Sequence, residues 1–308
     1  MTQTRTQTRN TKPLEEMNLM DDFLMNEMTA SPEMGIPFCR EVLPVLLGRQ
    51  VGKLRVVAQK IIPGTDPGKR GIRMDVEIYD YGQELPQEEH THPKVIYDLE
   101  PHLKKDMDII RHNRFYQAKL DGHNLNRGER DFTGLPDLYV ITILDYDPFG
   151  YDYMMYTIQN RCLELPEMDY PDGLHFLYFF ADGSKGGSQE IKEMLHYFQS
   201  SNITNAVNHT LQTIHGYVEK LKQSSEVQVS YMRYEDLMWE CKNEGRTEGR
   251  IEGRIEDIIE LLEDLGTVSD ELSERLHKET DLATLKKWHK LAARATSIED
   301  WQKQVGLL

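Results

Sequence analysis

The sequence is short of cysteine, of long apolar runs and of positive charge. Its three cysteines, Cys39, Cys162 and Cys241, are odd in number and far apart. That excludes a disulfide framework and a cysteine-built zinc site, and fits reduced thiols in a cytosol. No stretch approaches the roughly 18 apolar residues that a membrane span needs, so no membrane partner is expected. The opening MTQTRTQTRNTK has no apolar segment of the kind a secretory signal carries. Residues 1–13 read as a polar, disordered tail, and the expected location is the cytoplasm of a bacterium, in reach of the nucleoid. A net charge of −16 excludes bulk, non-specific affinity for nucleic acid.

Within that acidic chain the charge is uneven. Residues 49–73 hold seven basic side chains, Arg49, Lys53, Arg55, Lys60, Lys69, Arg70 and Arg73, against Asp66 alone. Such a segment is either a solvated basic loop or a local clamp for phosphate. The hydrophobic fraction, 39% of 308 residues, is enough for a sizeable core in one large or two modest domains.

Periodicity organises the chain. Residues 14–29 read as helix, with Leu19, Met20 and Phe23 on the apolar face. Pro32 and Pro37 break the pattern, and FCREVLPVLLG is a second short helix ended by Gly48. KLRVVAQKII is β-rich and leads into the turn PGTDPGKRG. In IRMDVEIYD, Ile72, Met74, Val76 and Ile78 face one way, while Arg73, Asp75 and Glu77 face the other. KVIYDLE is the next strand, residues 104–124 read as helix, and LPDLYVITILDYDPFG is an apolar strand suited to a sheet centre covered on both faces. YDYMMYTIQN and GLHFLYFFADG are further strands. The fold class expected is α/β, with helices on the sheet faces and a mostly helical C-terminal extension.

Metal-assisted cleavage of a phosphodiester needs hard carboxylate oxygens for Mg²⁺ and a cationic or basic group beside the attacking water. Asp75 lies on the polar face of its strand. In KVIYDLEPH, Asp98, Glu100 and His102 share one face. If the two strands form a hairpin, Asp75 and Glu100 can approach within metal-bridging distance. By spacing alone, two such acids on the solvent side of a hairpin are usually just solvated. Pro101 cannot donate to a sheet ladder, so the strand is expected to end, or to lie at an edge, near Glu100. His90 and His92, in a loop with Glu88 and Glu89, read as surface, GSKGG as a turn, and HFLYFF as a buried strand.

GIRMDVEIYD, VIYDLEPH, RHNRFYQAKLDGHNLNRGERDF and LPDLYVITILDYDPFG occur in this order. Together they resemble the recombination-promoting nuclease/putative transposase family of PD-(D/E)XK enzymes, over roughly residues 15–260. The resemblance implies a restriction-endonuclease-like core and a Mg²⁺-dependent (or Mn²⁺-dependent) DNA endonuclease linked to recombination or transposition. It assigns Asp75 and Glu100 as metal carboxylates and puts His102 where the family has Lys or Gln. Arg114, Tyr116 and Gln117 match a helix that packs beside the site and is positioned to touch phosphate. Asp147 and Gly150 match a structural D-P-F-G turn. Lys69, Arg70, Arg73 and Lys104 are the other DNA-binding candidates, and Lys104 could supply the charge that His102 does not. A histidine serves only with a suitable pKa and orientation. The alternative reading is therefore a non-catalytic DNA-binding or assembly protein on a decayed nuclease core. A two-carboxylate glycosidase would want aromatic sugar platforms near the acids, and none are evident.

The expected organisation is a core over 14–185, a helical extension over 186–242, a repeat helix over 243–256 and a helical tail over 257–308. In the tail, IIELLEDLG, SDELSERLHKE, DLATLKKWHKLAARA and SIEDWQKQ read as short amphipathic helices capped by Ser or Asp. The repeat, EGRT-EGRI-EGRI-E, stacks Gly245, Gly249 and Gly253 in one stripe. Like charges recur at i, i+4, and no Glu has an Arg three or four residues away, which is poor within one helix. A second helix crossing at the glycines would compensate, so a homodimer through residues 240–262 is expected.

Overall fold

The architecture comes from a computed structural model that describes residues 12–58, 61–62, 72–73, 75–84, 92–103, 108–125 and 132–307. Two compact units divide them, residues 12–231 and residues 232–307. In the first, a 3₁₀ turn at Leu14–Glu16 precedes α1, Asp22–Ala30. Residues 14–29 are thus not one helix, but Leu19, Met20 and Phe23 are all buried as the apolar spacing requires. Helix α2, Gly35–Leu47, carries Pro37 as its third residue, where a backbone N–H would have no intrahelical acceptor, so this proline is tolerated. Its end is set by Gly48, which takes φ 65° and donates to the Pro44 carbonyl at 3.0 Å.

The strands are β1 Leu54–Ala58, β2 Ile61–Ile62, β3 Ile72–Arg73, β4 Val76–Asp80, β5 Val95–His102, β6 Asp137–Leu144, β7 Met155–Ile158 and β8 Leu174–Phe180, with α3, Ile109–Asn124, between β5 and β6. A six-stranded sheet has the order β1-β4-β5-β6-β8-β7, and β2-β3 form a separate ribbon. Strands β1, β4 and β5 pair antiparallel, β1 with β4 and β4 with β5. Strand β6 joins β5 in parallel after the α3 crossover, β8 joins β6 in parallel, and β7 closes the edge antiparallel. The apolar run of β6 lies at the centre with Val140, Ile141, Ile143 and Leu144 buried, as its lack of alternation implied.

One expectation about the strands fails for a local reason, and another holds. The alternating IRMDVEIYD is not one strand: β3 pairs with β2, β4 pairs with β1 and β5, and Asp75 occupies the bend between them. The expectation at Pro101 holds: β5 ends one residue later, and from Glu100 on it is an edge on its β4 side. It runs to His102, paired with β6 throughout, while its pairing with β4 stops at Val76–Leu99. The missing N–H of Pro101 therefore falls past the last β4 pair and takes nothing from that side of the ladder.

One face of the sheet receives α3. Leu120 packs on Ile96, Leu138 and Val140, and Asn113 Nδ2 donates to Thr142 Oγ1 at 2.7 Å. Helices α1 and α2 lie against β1, and α4, Gln189–Gln199, and α5, His209–Gln223, pack with them. Ser188 caps α4 by accepting from Ile191 N–H, and Asn208 caps α5 by accepting from Leu211 N–H.

Helix α6, Ser225–Glu263, is continuous through the repeat into IIELLE. Asp257, the residue that could have capped IIELLEDLG, lies inside α6 and pairs with Arg254 at 3.2 Å, so IIELLEDLG is not a helix of its own. Gly245, Gly249 and Gly253 each face open space. In the second unit, Ile255, Ile258 and Leu262 of α6 meet α7, Asp270–His277, α8, Leu282–Ala292, and α9, Ile298–Val305, around Trp288 and Trp301. Ser269, Asp281 and Ser297 are the N-caps of these three helices, as their positions predicted. No helix among the described residues is long and apolar enough to cross a membrane.

Candidate active site

The alternation of β4 and β5 puts Glu77, Asp98 and Glu100 on the α3 side of the sheet, with Glu77 directly opposite Asp98. One step past the last pair, the Asp75 N–H donates to Glu100 Oε1 at 3.2 Å. The bend that interrupts the strand therefore aims the Asp75 backbone at the Glu100 carboxylate. This face is not solvated. Glu77 and Asp98 are 0% exposed and Glu100 is 5% exposed. The sequence reading of two solvent-side acids is corrected for Glu100, whereas Asp75 is half-buried.

Burial governs the chemistry. It pushes the Glu100 carboxyl well above the usual carboxylate range. The Asp75 charge adds to the rise, and the Asp75 N–H bond opposes it. Burial likewise raises Asp98, reinforced by Glu100, Glu77 and Asp75. Glu77 accepts a 2.8 Å hydrogen bond from the Tyr79 hydroxyl, whereas neither carboxylate oxygen of Asp98 has a hydrogen-bond partner among the described residues. An ionised, unpartnered carboxylate in such a place costs several kcal/mol, so burial favours the protonated form of Asp98.

A pH effect on stability follows. The folded protein keeps a proton on Asp98 that the unfolded chain releases near its ordinary carboxylate pKa. Stability is then highest at low pH and is lost as pH rises through the raised value, by at most about 1.4 kcal/mol per pH unit for each proton. Asp98→Asn cannot ionise. In EDTA, thermal melts from pH 5 to 8 should show the wild type losing stability relative to this variant. Parallel curves would show that Asp98 ionises without cost.

His102 lies on the same face, with Nε2 at 3.6 Å from Glu100 Oε2. Its ring meets His112 of α3 edge-on at 5.4 Å, and the His112 ring lies at 4.1 Å from Tyr116, tilted by 36°. The structure thus brings Asp75, Glu100 and His102 together, with His112 and Tyr116 closing one side. Arg114 and Gln117 sit on the other flank of α3, and Gln117 donates to the Asp121 carboxylate. Arg73 lies in β3, with its side chain outside the described residues, as are Lys69, Arg70, Lys104, Glu88, Glu89 and His90 entirely. The D-P-F-G turn is structural: Asp147 accepts from the N–H groups of Phe149 and Asp152 and from the Tyr156 hydroxyl, and Gly150 takes φ 77°. Sequence reasoning missed the weight of Glu77 and Asp98, although their alternation signalled the shared face. Asn113 and Thr142 carried no signal.

Among the described residues, no three His, Cys, Asp or Glu side chains form a ready metal cluster. Mg²⁺ does not require one, since it commonly binds one or two carboxylates and completes its shell with water and phosphate oxygen. The donor set fits that pattern: Asp75 and Glu100 would supply hard oxygen ligands, beside buried acids whose mutual repulsion a divalent cation would relieve. No protein-family model, curated protein or solved structure matches the chain.

Proposed function

We propose that this chain is a metal-dependent DNA endonuclease with a PD-(D/E)XK-type core, in which Asp75 and Glu100 hold Mg²⁺. The observation that carries the reading is the meeting of the Asp75 N–H and the Glu100 carboxylate beside His102, at the end of a strand pair. The elements also follow the expected order: Asp75 before β4, Glu100 near the end of β5, then α3, then β6 leading to D-P-F-G. The bound metal would polarise the scissile phosphate and lower the pKa of a bound water. The chain's own part is to supply two carboxylates, to keep them oriented through the Asp75–Glu100 bond, and to offer His102 as the group that takes a proton from the attacking water. The open glycine faces of α6 suit a second copy of the chain, which would set two such sites in one homodimer.

The experiment is conversion of supercoiled plasmid to nicked circle with Mg²⁺ and with EDTA, across His102 variants. His102→Gln should retain or raise the rate. His102→Ala should lower it by roughly 10²-fold, the usual loss with a positioned proton acceptor. Equal rates in all three proteins would remove His102 from the mechanism and make Lys104 the better candidate.

One observation favours a second reading. His102 is already engaged with Glu100, at 3.6 Å. A protonated His102 held there would occupy the carboxylate in place of a metal, and the core would then bind DNA without cutting it. Mg²⁺-independent DNA binding with no nicking under any divalent ion is the outcome that selects this reading.

A further inference from the structure

The opposite flank of α3 closes over a cavity of about 480 Å³. Its floor is aromatic, with Phe149, Phe176 and Tyr178, and its rim carries Arg111, Arg114 and Gln117. That volume falls within the roughly 300–1,000 Å³ typical of small-molecule sites, and the lining has the usual form of an apolar body with a few polar groups at the mouth.

Its place in the sheet connects it to the carboxylates. Phe176 and Tyr178 of β8 are in register with Val140 and Thr142 of β6, which are in register with Asp98 and Glu100 of β5. The cavity floor and the acids therefore share one face, two strands apart, on the order of 10 Å. Helix α3 stands between them. His112 and Tyr116 turn to the acids, and Arg114 and Gln117 turn to the cavity.

We infer that this cavity receives an unpaired base of a DNA strand, one that is flipped out or lies in a single-stranded segment, while a backbone phosphate approaches Asp75 and Glu100. Every base has a face that can stack on an aromatic floor, and guanidinium groups at a pocket mouth meet the flanking phosphates. Arg114 gives this acidic chain a local charge that suits a polyanion, and Arg111, paired with Asp108 at 2.9 Å, would exchange that exposed partner for a phosphate. The inference rests on the nuclease reading for its second contact, but the base pocket itself can be tested without cleavage.

The test is done in EDTA, with two fluorescent DNA duplexes that differ in one nucleotide. One duplex is fully paired, and the other carries a single unpaired 2-aminopurine. The bulged duplex should bind about tenfold more tightly, in line with what stacking of one base contributes, and its 2-aminopurine emission should fall on binding. Phe176→Ala removes part of the floor. Ile110→Glu puts a negative charge at the cavity wall from a residue that is 55% exposed, so this variant keeps its fold. Both variants should bring the bulged duplex down to the affinity of the paired one and leave the paired duplex nearly unchanged.

The inference is overturned by equal binding of the two duplexes, by unchanged emission, or by a preference that survives Ile110→Glu. It is also overturned if Ile110→Glu weakens both duplexes alike, or if neither duplex binds, which would leave the cavity to a protein segment. Preference without Mg²⁺-dependent nicking keeps the pocket and removes the nuclease reading. Nicking without preference does the reverse.

Discussion

Asp75→Ala and Glu100→Ala should each lower the Mg²⁺-dependent nicking rate by on the order of 10³ or more. The metal supplies several kcal/mol of transition-state charge stabilisation, and each 1.36 kcal/mol is tenfold in rate. With only two protein carboxylates to hold the ion, losing either removes half of the chain's ligands. Stability should behave differently. Glu100 is buried and its carboxyl is pushed upward by burial and by the Asp75 charge, so the folded protein bears a cost for it in the absence of metal. Glu100→Ala should then melt no more than a few degrees below the wild type in EDTA at pH 8. A variant that nicks at the wild-type rate would place the metal elsewhere. A variant that loses both nicking and a cooperative melt would show a structural role for the residue.

The largest effect on stability is expected from Trp301→Ala. Trp301 is 0% exposed, its ring meets Trp288 edge-on at 6.0 Å, and its Nε1–H donates to the Trp288 carbonyl at 3.1 Å. Replacing a buried Trp with Ala costs about 3–5 kcal/mol, through lost burial and the cavity left behind, and here the Trp288 carbonyl also loses its donor. Residues 232–307 form a small unit around one core, and a small core has little stability to spare. Hydrogen exchange on the full chain should show faster exchange over α7, α8 and α9 in Trp301→Ala, with protection of β5 and β6 unchanged. Full protection of α7–α9 in the variant would show that the second unit draws its stability from elsewhere.

How much of this was legible in the sequence differs from element to element. Local chemistry was readable. Ser269, Asp281 and Ser297 announced three helix starts, Gly48 announced a helix end, and the unalternating apolar run of β6 announced the sheet centre. The shared face of Asp98, Glu100 and His102 was also readable, because it follows from a period of two. Its burial was not. The cover over that face comes from Leu120 and Asn113 of α3, contacts that join residues some twenty to thirty positions apart in the chain and leave no mark in the strand itself. For the same reason Glu100 read as solvated when it is among the most buried polar groups of the fold. The break at Asp75 was hidden too, since alternation from Ile72 to Ile78 runs unbroken through it and only the separate pairing of β3 with β2 reveals it. The cavity beside α3 was invisible, because Phe149, Ile158 and Phe176 come from three separate segments.

The central claim, that Asp75 and Glu100 hold a divalent metal, can be tested with no DNA present. Fe²⁺ takes the same kind of oxygen ligands, and with ascorbate and peroxide it cuts the protein backbone next to wherever it is bound. Fragments should map to the neighbourhoods of residues 75 and 100. Excess Mg²⁺ should suppress them, and they should be missing from the Asp75→Ala protein. Mg²⁺-sensitive cuts that map elsewhere, or cuts at residues 75 and 100 that persist in Asp75→Ala, would contradict the assignment.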